Sequence, residues 1–188
     1  MTLLVLGLAL FLGIHLVPAI PPLRAALAGA LGEAGYKKMF TGLSLLGFAL
    51  IVAGYAMAPR GEQWLPRSVG ARHASPLVMI VSFILLAAAN MKGRIRRALR
   101  HPMLLGVGLW ALVHLLANGH AKATLVFGGF LAYVVIDLVS ATARGAVKPF
   151  ELRPRHDLIA IGGGTVAALA FMTLHRFLVG VAAVPWSL

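Results

Sequence analysis

Three histidines lie inside long apolar segments of the chain, where an imidazole finds few polar partners. They are His15, His114 and His175. Neutral imidazole is a good ligand for haem iron, copper or zinc. A polar ring in hydrocarbon costs free energy unless it is hydrogen-bonded or ligated, so each histidine is a candidate functional residue. The alternative for each is a structural imidazole bonded to a helix carbonyl or to a Ser or Thr hydroxyl.

His114 lies in the best-defined segment, residues 101–119, HPMLLGVGLWALVHLLANG. Pro102 suits a first helical position because proline has no N–H to leave unpaired. Asn118 and Gly119 suit a helix C-terminus, where the chain enters left-handed space. About 17 uncharged residues lie between these marks, just enough to cross hydrocarbon. The segment therefore predicts a short membrane-spanning helix with His114 inside the apolar layer.

The surroundings of His114 are compatible with a b-type haem. Gly108 and Ala111 fall on the same helical face and would leave a smooth surface for a flat macrocycle, and Trp110 lies one turn before the histidine. Haem propionates would need cations near a membrane surface, and the residues predicted for this role are Arg97 and Arg100. The chain has no Cys, so any haem is held non-covalently.

Other kinds of chemistry find little support. The absence of Cys excludes disulfides, thiolate haem ligation, Fe–S clusters and cysteine zinc sites. No GxSxG, HExxH, P-loop or GxGxxG motif occurs. Glu33, Glu62 and Glu151 are isolated in loops. Asp137 is the one acid within a span, and we expect it to pair with a histidine or a basic side chain.

Composition assigns the chain to membrane proteins. It has 188 residues, of which 60% are hydrophobic, and a mean hydropathy of +0.91. Soluble domains do not reach such values. We predict an all-α polytopic integral membrane bundle of about six transmembrane helices, formed by a single domain over residues 1–188. The apolar segments are roughly 2–20, 39–58, 76–91, 102–118, 123–142 and 158–181.

Basic residues follow the loops rather than a nucleic-acid surface, although the net charge is +12. Twelve lie in loops one, three and five, and four lie in loops two and four. The positive-inside rule then places loops one, three and five in the cytoplasm and both termini outside, as in a bacterial inner-membrane protein. The twelve are Arg24, Lys37, Lys38, Lys92, Arg94, Arg96, Arg97, Arg100, Arg144, Lys148, Arg153 and Arg155.

Three local features complete the prediction. Residues 23–37 are expected to form an interfacial helix after the prolines that end the first span. Asp157 is expected to cap the last span. The glycines within the spans are expected mainly to allow close helix packing, with a groove for a cofactor or a polyene as the alternative. They include Gly106, Gly108, Gly128, Gly129 and Gly162–Gly164.

The segment around His114 resembles the central motif of the NnrU family. The stretches HLVPAIPPLRAALAGALGEAGYKKMF and LHRFLVG are similar to that family's two ends, so the resemblance covers nearly the whole chain. The family was named for a role in denitrification, around nitrite and nitric oxide reductases. It also includes the plant 15-cis-ζ-carotene isomerases, integral membrane enzymes with a bis-histidine haem b.

The resemblance implies about six helices and a haem site whose ligands match His15 and His114. Ala111 stands where the plant enzymes have a thiol, a departure that counts against carotenoid isomerisation. Helix rise, about 1.5 Å per residue, places His15 roughly 6 Å to the cytoplasmic side of its span's centre and His114 roughly 6 Å to the outer side. His175 is also on the outer side, which makes it the rival second ligand.

Three functions remain open from the sequence. The first is a redox or accessory factor of nitrite and nitric oxide metabolism, with nitric oxide as a possible ligand. The second is a haem-dependent enzyme that isomerises an apolar polyene such as 15-cis-ζ-carotene. The third is a structural membrane protein whose histidines only form hydrogen bonds. All three have the lipid bilayer as a partner, and none involves nucleic acid.

Overall fold

A computed structural model describes residues 1–147 and 149–183, and these residues are helical with short connections. Five helices are long and apolar enough to cross a membrane, and α5 is a shorter apolar helix. The expectation of an all-α membrane bundle is confirmed. The helices are α1 (Thr2–Leu16), α2 (Pro21–Met57), α3 (Val69–Ala88), α4 (Arg94–Leu99), α5 (Pro102–Asn118), α6 (Ala121–Ala143) and α7 (Arg155–Val179), with a 3-10 turn at Val17–Ala19.

The chain divides into two compact units. The first comprises residues 1–66 and 118–145, and its main contact is between α1 and α2. Three glycines allow these two helices to touch: a Cβ on Gly7 would lie 2.6 Å from the backbone nitrogen of Ile51, and Gly47 and Gly54 meet α1 backbone in the same way. Because positions early in α1 meet positions late in α2, the two helices are antiparallel. Helix α6 also packs on α1.

The second unit comprises residues 67–117 and the described residues from 146 onward. Its main contact is between α3 and α7, where a Cβ on Gly164 would lie 2.6 Å from the Cα of Ile84. Helix α5 meets α3 at Gly106, whose carbonyl oxygen accepts a hydrogen bond of 2.8 Å from the buried Ser82 hydroxyl. These contacts position the helix that carries His114.

Helix α2 contains the segment that was expected to be a separate interfacial helix. The helix is broken at Gly32, which has φ +70° and ψ 161°. Arg24 lies before this break and Glu33 after it, and their side chains form an ion pair of 2.8 Å. Residues 23–37 are thus helical, but they join the second span through a kink rather than a loop.

The predicted boundaries of α5 are confirmed. The helix starts at Pro102 and ends at Asn118, and Gly119 has φ +66°. The carbonyl oxygen of Gly119 accepts hydrogen bonds from the backbone N–H groups of Trp64 and Leu65, at 2.9 and 3.0 Å. Loops two and four therefore meet, as the predicted topology requires of two loops on one side of a membrane.

Loops three and five also meet, at one end of the second unit. The backbone N–H of Lys92 donates to Nδ1 of His156 at 3.0 Å. Asp157 does not cap its own helix, which begins at Arg155. Its carboxylate accepts the backbone N–H groups of Arg94 and Ile95 instead, at 2.8 and 3.0 Å. The predicted cap was wrong because the carboxylate binds the start of α4, an element that the hydrophobic pattern did not indicate.

Candidate functional site

His114 lies in the last turns of α5, with one ring nitrogen bound to its own helix. Its Nδ1 is 2.8 Å from the carbonyl oxygen of Trp110. A carbonyl oxygen can only accept a hydrogen bond, so Nδ1 carries the proton in the neutral ring. The lone pair of that tautomer is on Nε2. A backbone carbonyl on Nδ1 is a common way in which proteins fix the tautomer and orientation of a metal-binding histidine.

His15 and His175 have the same tautomer for the same reason. Nδ1 of His15 is 2.7 Å from the carbonyl oxygen of Phe11, four residues earlier in α1. Nδ1 of His175 is 2.6 Å from the carbonyl oxygen of Val181, beyond the end of α7. Each ring is partly buried. The three histidines of the apolar segments therefore share one tautomer, in which Nε2 carries the lone pair.

His114 and His175 belong to the second unit. Each is four residues before the last residue of its helix. His15 belongs to the first unit. The rival second ligand, His175, is thus in the same unit as His114, and the choice of second ligand stays a prediction.

The ring of His15 lies among three aromatic rings of the first unit. The ring centroids of Phe11, Phe40 and Tyr133 are 4.2, 5.1 and 6.3 Å from its own. The Tyr133 hydroxyl donates a hydrogen bond of 3.1 Å to Asp137. Aromatic side chains therefore dominate this histidine's surroundings and shield it from polar groups.

Asp137 also forms an ion pair of 3.8 Å with Arg144. The expectation that this acid pairs with a basic side chain is confirmed. Spacings of four residues between Tyr133 and Asp137, and of seven between Asp137 and Arg144, place all three on one helical face of α6. Sequence spacing could have indicated this network, although it could not place the network beside His15.

The other predicted cofactor residues separate into two groups. Trp110 is beside His114, with ring centroids 5.7 Å apart. Gly108 is partly buried, and Ala111 is fully buried. Arg97 and Arg100 lie before Pro102, the first residue of α5, and the helix from Pro102 to His114 spans about 18 Å at a rise of about 1.5 Å per residue. The structure therefore does not bring these arginines to the histidine.

A bare metal ion and a haem need different numbers of protein ligands. Within residues 1–147 and 149–183, no group of three or more His, Cys, Asp or Glu side chains could hold a metal ion. A haem needs only one or two axial nitrogens because the macrocycle supplies the other donors. Haem ligation by His114 stays a prediction, because one or two histidines would be enough for it.

The comparison with known families gives a clear assignment. The model of the NnrU family, described as NnrU protein, matches residues 3–183. The chain belongs to the NnrU family. A search of curated proteins and a search of solved structures found no match. The resemblance of the three sequence stretches is thus confirmed over almost the whole chain.

Proposed function

We propose that this NnrU-family protein binds haem b non-covalently and serves as a redox or accessory factor in nitrite and nitric oxide metabolism. The observation that supports the proposal is the hydrogen bond from His114 Nδ1 to the Trp110 carbonyl. It fixes the tautomer and the orientation of the ring, as is common for metal-binding histidines. Membership of the NnrU family supports the metabolic assignment.

Two histidines compete for the second axial position. His15 is favoured by the family resemblance. His175 is favoured by the depth calculation and by its membership of the same unit as His114. A haem held by two histidines would supply one-electron transfer, and a haem held by one histidine would be able to bind nitric oxide. The ligand histidines would present Nε2 to the iron, and the aromatic rings beside them would exclude water.

The test is the absorption spectrum of the purified protein from haem-sufficient cells. We expect a Soret band and a pyridine haemochrome of the b type, and we expect His114→Ala to abolish both. His73→Ala is the matched control because His73 is exposed in the first turns of α3. A colourless wild-type protein that gains no spectrum on reconstitution with haem would refute the proposal and leave the structural role for the histidines.

The second ligand is assigned by the same measurement on His15→Ala and His175→Ala. Only the variant that removes the true ligand should change the spectrum from that of a low-spin, six-coordinate haem. Nitric oxide added to the reduced protein then distinguishes an electron carrier, whose spectrum does not change, from a sensor that loses a histidine. Conversion of 9,15,9′-tri-cis-ζ-carotene in a carotenogenic host would instead support the isomerase alternative.

A further inference from the structure

An open groove of about 280 Å³ lies beside the short helix α4. Its lining combines two cations with three apolar side chains: Arg97, Arg100, Val147, Pro149 and Phe150. Helix α4 lies between the apolar helices α3 and α5 in the chain, so we expect the groove at a membrane surface. A groove of this composition suits a ligand with both an anionic and an apolar part.

Contacts with α7 and its preceding loop hold the groove in place. The carboxylate of Asp157 binds the backbone of Arg94 and Ile95 at the start of α4. The guanidinium of Arg96 lies 5.0 Å from the ring centroid of Phe150, a cation–π contact between the two walls. The groove is therefore built by residues from both basic loops rather than by a single surface loop.

The two arginines of the groove have no acidic partner within the part of the chain that the structure describes. Neither Arg97 nor Arg100 forms an ion pair with a carboxylate, and both side chains are exposed. Asp157 is occupied by backbone N–H groups of α4. The backbone of Arg100 has φ +60°, a conformation that residues other than glycine rarely adopt. Two uncompensated guanidinium groups remain next to an apolar wall.

We propose that this groove binds the phosphate group of an anionic phospholipid, with the lipid's apolar part against Val147, Pro149 and Phe150. Guanidinium groups bind phosphate oxygens through paired N–H donors. Basic pockets at the cytoplasmic ends of membrane helices are typical sites for anionic headgroups. The proposal is independent of haem binding, because the groove is at the opposite end of α5 from His114.

The experiment measures binding of a fluorescent short-chain phosphatidylglycerol to the full-length protein in a neutral detergent, by anisotropy. The test variant is Arg97→Gln/Arg100→Gln. The control is Arg153→Gln/Arg155→Gln, which removes the same charge from the adjacent loop without changing the groove lining. We expect the test variant to bind about tenfold more weakly, which corresponds to about 1.4 kcal/mol. The control should lose clearly less affinity than the test variant, because its two arginines do not line the groove.

Competition separates the sources of phosphate. Unlabelled phosphatidylglycerol should displace the probe, whereas phosphatidylcholine and inorganic phosphate should not. Displacement by inorganic phosphate at comparable concentration would overturn the lipid assignment in favour of a soluble phosphate. Equal losses in the test and control variants would show bulk charge attraction and overturn the site. If the test variant loses the haem spectrum but keeps lipid affinity, the arginines hold propionates and the proposal is wrong.

Discussion

A histidine inside a membrane helix can satisfy one ring nitrogen within its own turn and still act as a ligand with the other. His15 and His114 do so through the carbonyl four residues before them. That carbonyl oxygen already accepts the hydrogen bond from a helix N–H, and its second lone pair accepts one from the imidazole Nδ1–H. Because such a bond also suits a purely structural histidine, the spectroscopic test must compare variants rather than rely on geometry.

Gly119 is the residue whose backbone most directly determines where the helix of His114 ends. It has φ +66°, and a Cβ at this position would overlap the carbonyl oxygen of Leu65. We expect Gly119→Ala to destabilise the protein by about 2 kcal/mol or more, because the left-handed conformation and the overlap both cost free energy. The measurement is the midpoint of thermal unfolding in detergent.

Gly145 provides the control for Gly119. It has φ +58°, but a Cβ there meets nothing within 4 Å. Gly145→Ala should therefore cost only the conformational part, about 1 kcal/mol. Equal midpoints for the two variants would show that the contact between loops two and four contributes nothing to stability.

At the scale of elements, glycine has two different uses that the sequence alone could not distinguish. Gly106 and Gly164 lie at helix crossings, where a Cβ would come within 3 Å of a neighbouring backbone. Gly128, Gly162 and Gly163 have open space instead. The expectation of helix packing is confirmed for the first pair. It does not hold for the other three, because which face of a helix meets a neighbour depends on tertiary contacts.

Adjacent glycines of α7 allow a direct test of the crossing with α3. Gly164→Ala should lower the unfolding temperature, since the added methyl group would lie 2.6 Å from the Cα of Ile84. Gly163→Ala should leave that temperature unchanged or raise it, because alanine is the better helix former and space is open. Scanning calorimetry of the two variants in the same detergent gives the comparison. A tolerated alanine at position 164 would contradict the close α3–α7 packing.

Element boundaries were predictable where local chemistry sets them and not where a distant residue does. Pro102 and Gly119 mark the ends of α5 by their own backbone preferences, so the sequence located both. Helix α4 has only six residues and no apolar periodicity. Its start is stabilised by Asp157, which is 62 residues away from Ile95 along the chain. A pairing over that separation leaves no local pattern to detect.

The candidate site was also predictable in part: the sequence located its histidines but not the contacts that they make. The sequence identified the three embedded histidines, because a polar ring within an apolar run is visible without a structure. It did not show that all three share one tautomer, since Val181 accepts from His175 across the turn that ends α7. It also assigned Arg97 and Arg100 to the haem on charge alone. Both arginines precede the first residue of α5, which is twelve residues before His114.

At the scale of the whole molecule, the pairing of loops agrees with the charge bias. Loop two meets loop four in the first unit, and loop three meets loop five in the second. Ser140, near the end of α6, donates a hydrogen bond of 2.7 Å to the carbonyl oxygen of Ala19 in loop one. Lys148, which contributes to the bias, lies outside the described residues. The described contacts therefore join odd-numbered loops to odd-numbered loops and even to even.

The absence of cysteine makes this topology testable with little background. The single-cysteine variant Glu62→Cys should react with a membrane-impermeant maleimide in intact spheroplasts, because loop two is expected outside. A single cysteine at Arg155 should react only after permeabilisation, because loop five carries the cytoplasmic positive charge. The cysteine-free wild type is the labelling control.

Reporter fusions test the same orientation by a second method. Fusions at residues 70 and 120 should be external, and a fusion at residue 97 should be internal. The reverse pattern would invert the orientation while leaving the loop pairing intact.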